Sequence, residues 1–185
     1  MPILPEKDNP PSKLFECSIL EKEGTWWVAK VKPRQEKAFA FDLLEQGIDY
    51  YLPFYEKKTK RSDGKFRKSL LVLFPSYVPF ISEKPFDHLN QNRVATILPV
   101  KLQERFKKEL HYVSLSISSG VQIEPISTSG KFKSGDQVKI VGGPMCGAEG
   151  VVLDSFRNKI SISLSIEYLG CAKITVDDIY IKSNT

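Results

Sequence analysis

From Ile160 to Ile166 the chain alternates without a break, with Ile160, Ile162, Leu164 and Ile166 apolar and Ser161, Ser163 and Ser165 between them. A period of two places the two sets on opposite faces of an extended strand, so this segment is a β-strand with one buried and one wet face. A helix, with its 3.6-residue period, would smear the same residues around its circumference. Gln137–Val141, Val151–Asp154 and Ala172–Val176 are short runs of similar character, separated by turn residues. Residues 131–185 therefore predict a small all-β barrel, whose limited core leaves it only modestly stable alone. The glycine-rich segment Val141–Gly150 lies between two of these strands and lacks the Lys-Ser/Thr ending of a phosphate-binding loop. Its glycines fit a turn that needs positive φ.

The first half reads differently. Thr25–Val31 is aromatic and β-branched, as a strand requires. Pro33 stands where a helix opens, Arg34–Gln46 is free of Pro and Gly, and Gly47 follows as a stop. Ile48–Tyr55 predicts a second strand, at an edge or bulge because of Pro53. Ser69–Ile81 is the most apolar stretch, broken by Pro75 and Pro79, and Val94–Leu98 is another short strand. Leu102, Phe106, Leu110 and Val113 recur at helical spacing. That order predicts an α+β domain, an antiparallel sheet with flanking helices. Residues 1–23 are Pro-rich and charged and predict a flexible extension, residues 24–117 the α+β domain, residues 118–130 a linker, and residues 131–185 the barrel. The Ser- and Gly-rich composition that marks the linker begins at Ser114, and an extra strand near Val121–Glu124 leaves that boundary soft.

Charge separates the segments. Residues 1–23 carry 3 bases and 5 acids, residues 24–130 carry 17 and 11, and residues 131–185 carry 7 and 6, so the net +5 resides in the middle. Much of it lies in Lys57–Lys68, where Lys57, Lys58, Lys60, Arg61, Lys65, Arg67 and Lys68 face one acid, Asp63. Such a stretch cannot pack in a core and forms a solvated loop or hairpin tip. It either solubilises that face or contacts phosphates, since clustered lysines release counterions from a polyanion.

Catalytic chemistry finds no constellation. His88 and His111 stand in no triad or metal pattern, and Cys17, Cys146 and Cys171 form no CxxC pair. The expectation is a protein that is not an enzyme, with no cofactor and no metal, in a reducing cytoplasmic setting. No run reaches the ~20 apolar residues of a membrane span, and the N-terminus offers no secretory apolar core.

The segment Phe132–Val152, with Gly135-Asp136-Gln137-Val138-Lys139-Ile140, then Gly143-Pro144, then Gly147-Ala148-Glu149-Gly150-Val151, resembles a KOW motif. Trp26-Trp27-Val28 followed by Lys32-Pro33-Arg34-Gln35-Glu36-Lys37 is similar to the opening strand and helix of the NusG N-terminal domain. Tyr51-Leu52-Pro53 is similar to its second strand, and Leu73-Phe74-Pro75-Ser76-Tyr77-Val78 to its Phe-Pro-x-Tyr hallmark. In this order the motifs resemble the NusG/RfaH family of transcription elongation factors, and the Lys-Pro-Arg-Gln-Glu opening leans towards specialised paralogues such as UpxY-type antiterminators.

The resemblance implies an SH3-like KOW barrel after the α+β domain, and a monomer that binds the β′ clamp helices of RNA polymerase to suppress pausing or termination. It places polymerase contacts at Phe74, Tyr77, Ile97 and Val100, on an exposed apolar face; for Phe74, Ile97 and Val100 burial in the core is the rival reading, while the hydroxyl of Tyr77 favours the surface. Lys32 matches a position that touches non-template DNA in sequence-specific relatives, although Asp42 and Glu45 depart from them. With the basic stretch, the partners include upstream or non-template DNA. Pro144 and Met145 stand at the loop tip that contacts Rho or a small-subunit ribosomal protein, where Met145 offers an adaptable apolar contact or folds over the end of the barrel as a turn residue. The alternative is a ribosome- or RNA-binding KOW protein acting in translation.

Overall fold

The computed structural model describes residues 10–11, 22–83, 89, 92–125, 135, 137–156, 159–177 and 180–183. Cys17, the segment 86–88 and residues 126–134 lie outside them, as does most of the N-terminal extension. The chain divides into two compact units, Met1–Lys101 and Leu102–Thr185.

In the first unit, β1 (Thr25–Val31) is the central strand of a three-stranded antiparallel sheet, between β4 (Tyr77–Ser82) and β5 (Val94–Pro99). Helix α1 (Glu36–Glu45) lays Phe39, Ala40 and Leu43 on one face of this sheet. There they meet Ala29, Val31, Val78 and Phe80, and the rings of Phe39 and Phe80 pack edge to face with centroids 6.4 Å apart. Each buried Phe, Leu or Val among them stabilises the unit by about 1.5–3 kcal/mol.

β2 (Phe54–Lys60) and β3 (Phe66–Val72) form a separate two-stranded ribbon. The strand expected over Ile48–Tyr55 begins only at Phe54. Ahead of it, Asp49–Tyr51 runs beside β4 through two backbone bonds, Tyr51 N–H to Pro79 O and Ile81 N–H to Asp49 O, both 2.8 Å. Pro53 has no N–H to continue such a ladder, and its own carbonyl accepts from Leu73 N–H at 2.9 Å.

The second unit begins with α2 (Gln103–Ser118), which buries Phe106, Leu110 and Val113 while Leu102, just ahead of it, is exposed. The helix runs through Ser114–Ser118, where composition alone suggested a linker. Serine hydroxyls are satisfied inside it, Ser116 Oγ donating to Tyr112 O and Ser118 Oγ to Ser114 O, each at 3.0 Å. Six strands follow: β6 (Ile123–Pro125), β7 (Gln137–Ile140), β8 (Glu149–Phe156), β9 (Lys159–Ile166), β10 (Gly170–Asp177) and β11 (Ile181–Ser183). They form one sheet in the order β11-β7-β8-β9-β10-β6. Among the described residues β11 and β6 are its two ends, and no closed barrel forms. In β9, Ile162, Leu164 and Ile166 are buried and Ser165 is exposed, as the alternation requires. No helix is long and apolar enough to cross a membrane among the described residues.

Candidate functional site

The Phe-Pro-Ser-Tyr segment is a tight turn between β3 and β4. Tyr77 N–H donates to Phe74 O at 3.2 Å, and Ser76 sits at φ 68°. A non-glycine residue in the left-handed region is strained, so something must hold it there. Both backbone groups of Ser76 are held. Its N–H donates to Glu36 Oε1 at 2.7 Å, and its carbonyl accepts from Val31 N–H at 2.9 Å. Glu36 is buried at 8% exposure, so the first turn of α1 clamps the turn that aims Tyr77.

Strand register shows where the expected contact residues point. Tyr77 lies opposite Lys30, and Lys30 lies opposite Thr96 on the other side. Ile97 lies opposite Ala29, the next residue of β1. Neighbouring strand positions face opposite ways, so Tyr77 and Ile97 are on different faces of the sheet. Ile97 packs against the α1 core. Phe74 and Val100 are 2% and 6% exposed. Of Phe74, Tyr77, Ile97 and Val100, the first and last are buried, while Tyr77 and Ile97 are each half-buried on opposite faces, Tyr77 in a row with exposed Lys30 and Thr96. Apolar exposure in this unit lies elsewhere, at Phe41 and Leu44 of α1 and at Phe66, Leu70 and Leu71 of β3.

The basic stretch is the end of the β2–β3 ribbon. Phe54 and Val72 root it in the core, with Lys37 Nζ 5.3 Å from the Phe54 ring centroid. Partial burial holds the Lys37 ammonium below its usual pKa, against the opposing pull of Glu36. From that root the ribbon extends about 20 Å at the usual rise per residue. The tip closes by Arg61 N–H to Lys65 O at 2.8 Å, with Gly64 at φ 81° and Lys65 N–H donating to Asp63 Oδ1. Lys57, Lys58, Lys60, Arg61, Lys65, Arg67 and Lys68 are all exposed. Lys32 is exposed as well, while its backbone N–H donates to Arg93 O. Asp42 is held by Arg93 Nε at 2.9 Å, a structural partner within the same unit.

In the second unit Pro144 is exposed, but Met145 is 1% exposed. Ser116 Oγ of α2 lies 3.0 Å from Met145 Sδ. Of the two readings of Met145, burial favours the residue folded inward, against α2. The same unit holds a cleft of about 610 Å³ lined by Arg105, Glu109, Tyr112, Glu149 and Cys171 among others. Glu109 is already engaged, by Arg105 Nε at 2.8 Å and by Glu167 N–H at 3.0 Å. Cys146 and Cys171 are free thiols, and no group of three metal-capable side chains occurs among the described residues.

Sequence reasoning missed two residues that matter. Glu36 figured in the sequence only as part of the Lys32–Lys37 resemblance, with no role of its own. Phe66, inside the basic stretch, is 71% exposed, and an aromatic among seven bases was the signal.

Comparison with known proteins places these features. Residues 24–97 match the family model described as "NusG: Transcription termination factor nusG", a span that covers β1 to β5 as far as Ile97. No curated protein matches. Among solved structures, one described as "Domain interaction in Thermotoga maritima NusG" superposes with a TM-score of 0.50 at 17% identity, over 88% of this chain and 98% of that one. At that identity the likeness is one of fold. Another, "Crystal Structure of MjSpt4:Spt5 complex conformation B", covers 86% of this chain and 97% of its own at 16% identity, with a TM-score of 0.28.

Proposed function

Residues 24–97 match the NusG family model, and on that premise we propose that the chain is a transcription elongation factor that binds RNA polymerase and suppresses pausing or termination. The family match is the observation that carries this reading, because it spans β1, the ribbon, the clamped turn, β4 and β5 as far as Ile97. The grip is on the β′ clamp helices, with Tyr77 as the contacting side chain. Phe74, Ile97 and Val100 support the sheet beneath it instead of meeting the partner. A tyrosine suits that task, since its ring gives contact area at low entropic cost and its hydroxyl tolerates water before binding. The action is a shift in population: energy of binding to the closed clamp disfavours paused states without lowering a chemical barrier.

Lys32 and the ribbon bases are assigned to upstream or non-template DNA. The second unit is read as an SH3-like KOW barrel, and its Pro144 loop as the contact for a small-subunit ribosomal protein or Rho. The specialisation is towards UpxY-like antitermination. Capture of the purified chain on immobilised core RNA polymerase tests the central claim. Wild type is expected to be retained and Tyr77→Ala to be retained several-fold less. A wild-type chain that passes through unretained would sink the reading and favour a KOW protein of translation.

A further inference from the structure

Residues 1–23 have the composition of a flexible extension, yet the first unit holds this stretch at two places. Pro10 is buried, and the carbonyl of exposed Pro11 accepts the Tyr50 hydroxyl at 3.0 Å. Eleven positions on, Lys22 Nζ donates to Asp49 Oδ2 at 2.6 Å. The two grips fall on adjacent residues, Asp49 and Tyr50, of the segment that runs beside β4. Tyr50 itself bridges to Phe80 of that strand, flanked by the backbone bonds of Asp49 and Tyr51. Both grips therefore lie at the same edge of the sheet.

A proline pair suits burial at such a place. Neither ring nitrogen carries a hydrogen, so covering the pair leaves only carbonyls to be satisfied. Pro10, standing before Pro11, is biased to the extended polyproline conformation, so docking costs it little entropy. What the pair asks of a receptor is an apolar surface for one ring and a fixed donor for the carbonyl that follows, which an aromatic with a polar tip supplies. Tyr50 has that form. Its ring is 1% exposed and belongs to the core cluster with Phe39 and Phe80, while its hydroxyl reaches out to Pro11 O. We propose that the surface at the Tyr50 hydroxyl is a binding site for a diproline segment in the polyproline conformation, filled by the chain's own Pro10 and Pro11, so that the extension is latched to the edge of the first unit and freed when the site is emptied. The Lys22–Asp49 pair, with side chains 49% and 22% exposed, adds little affinity of its own. It fixes where the chain returns, and so short a tether keeps the ligand at an effective concentration on the order of millimolar. The ligand stands ahead of the span 24–97 that matches the family, and the inference does not rest on the elongation-factor reading.

The test uses the full chain and a fluorescently labelled peptide of residues 6–15, followed by anisotropy. In the wild type the site is already filled, and the peptide is expected to bind poorly. Pro10→Asp puts a charge where the ring is buried and empties the site. Peptide affinity should then rise about tenfold, because the tethered ligand no longer competes. Adding Tyr50→Phe to that chain keeps the ring but removes the donor, and should bring affinity several-fold back towards the wild type. A peptide with both prolines replaced by alanine should not bind the emptied chain. Pro10→Gly with Pro11→Gly empties the site without adding a charge and is read in the same way. Equal peptide affinity for the wild type and both emptied chains, or full binding by the dialanine peptide, would overturn the proposal. So would unfolding of both emptied chains, since a displaceable ligand cannot be a condition of folding. Sedimentation of the same proteins separates the last case. A wild-type dimer that Pro10→Asp converts to monomers would overturn the assignment to the same chain and show the segment exchanged between two copies.

Discussion

Glu36 shows how one buried carboxylate can set the direction of a side chain on another element. Its Oε1 takes the Ser76 N–H at 2.7 Å and so stabilises a turn whose φ of 68° an ordinary residue resists. Glu36→Ala leaves that N–H without its charged acceptor, and chemical denaturation should report a loss of about 1–3 kcal/mol. Glu36→Gln keeps an oxygen in place and should lose less than half as much; equal losses from both would show that a neutral oxygen at that position does not hold the turn. Tyr50 gives a second test. Its hydroxyl donates to Pro11 O at 3.0 Å, and burial pushes its pKa up to about 12. The folded state therefore holds a proton that the unfolded chain releases near pH 10. Stability from this group is complete below pH 10 and declines as pH rises towards 12. Unfolding midpoints measured from pH 8 to 11.5 should fall with a slope that Tyr50→Phe reduces. Neither residue was legible in the sequence as a holder of structure. Both act on partners 39 and 40 positions away, and local pattern carries no information about such pairings.

Elements were more legible than residues, because periodicity is local. The two helices, the strand at Thr25–Val31 and the serine-alternating strand all stand where the spacing of apolar positions put them. What failed was what depends on the other side of a contact. Ile48–Pro53 has strand composition, yet it meets β4 through a single bridge at Tyr50, and Pro53 has no N–H to extend it. Ser114–Ser118 has linker composition, yet its hydroxyls bond back into the helix. The candidate patch divides for a related reason. Phe74, Tyr77, Ile97 and Val100 are plausible together by type, but only register reveals that Tyr77 and Ile97 face opposite ways. In the second unit the packing of β8 on β9 makes a clear prediction. A Cβ at Gly150 would collide with Ser163 O and with Ile162 Cγ2, and a backbone atom cannot step aside. Gly150→Ala should destabilise this unit by about 1–3 kcal/mol. Faster amide exchange across β8 and β9, with the β1–β4 amides unchanged, is the expected signature, and uniform exchange throughout would contradict it.

At the scale of the whole molecule, charge and apolar contact are assigned to different places on one compact unit. The net +5 of the chain derives from residues 24–130, and its densest part is the far end of a ribbon rooted at Phe54 and Val72. Tyr77 belongs instead to the clamped turn at the sheet, where its neighbours across the strands are Lys30 and Thr96. Counterion release makes the first kind of contact fall steeply with salt, while burial of an aromatic surface does not weaken as salt is raised. Retention on a polymerase assembled with a nucleic-acid scaffold should thus separate into two components. Lys58→Glu with Lys60→Glu should lower retention at low salt and matter progressively less as salt rises towards 0.3 M, roughly three-fold above the concentration at which the Debye length is ~10 Å. Tyr77→Ala should lower it by a similar factor at every salt concentration and on polymerase without the scaffold. If the two variants showed the same salt profile, the ribbon and the turn would be parts of a single contact, and the division of labour between them would have to be abandoned.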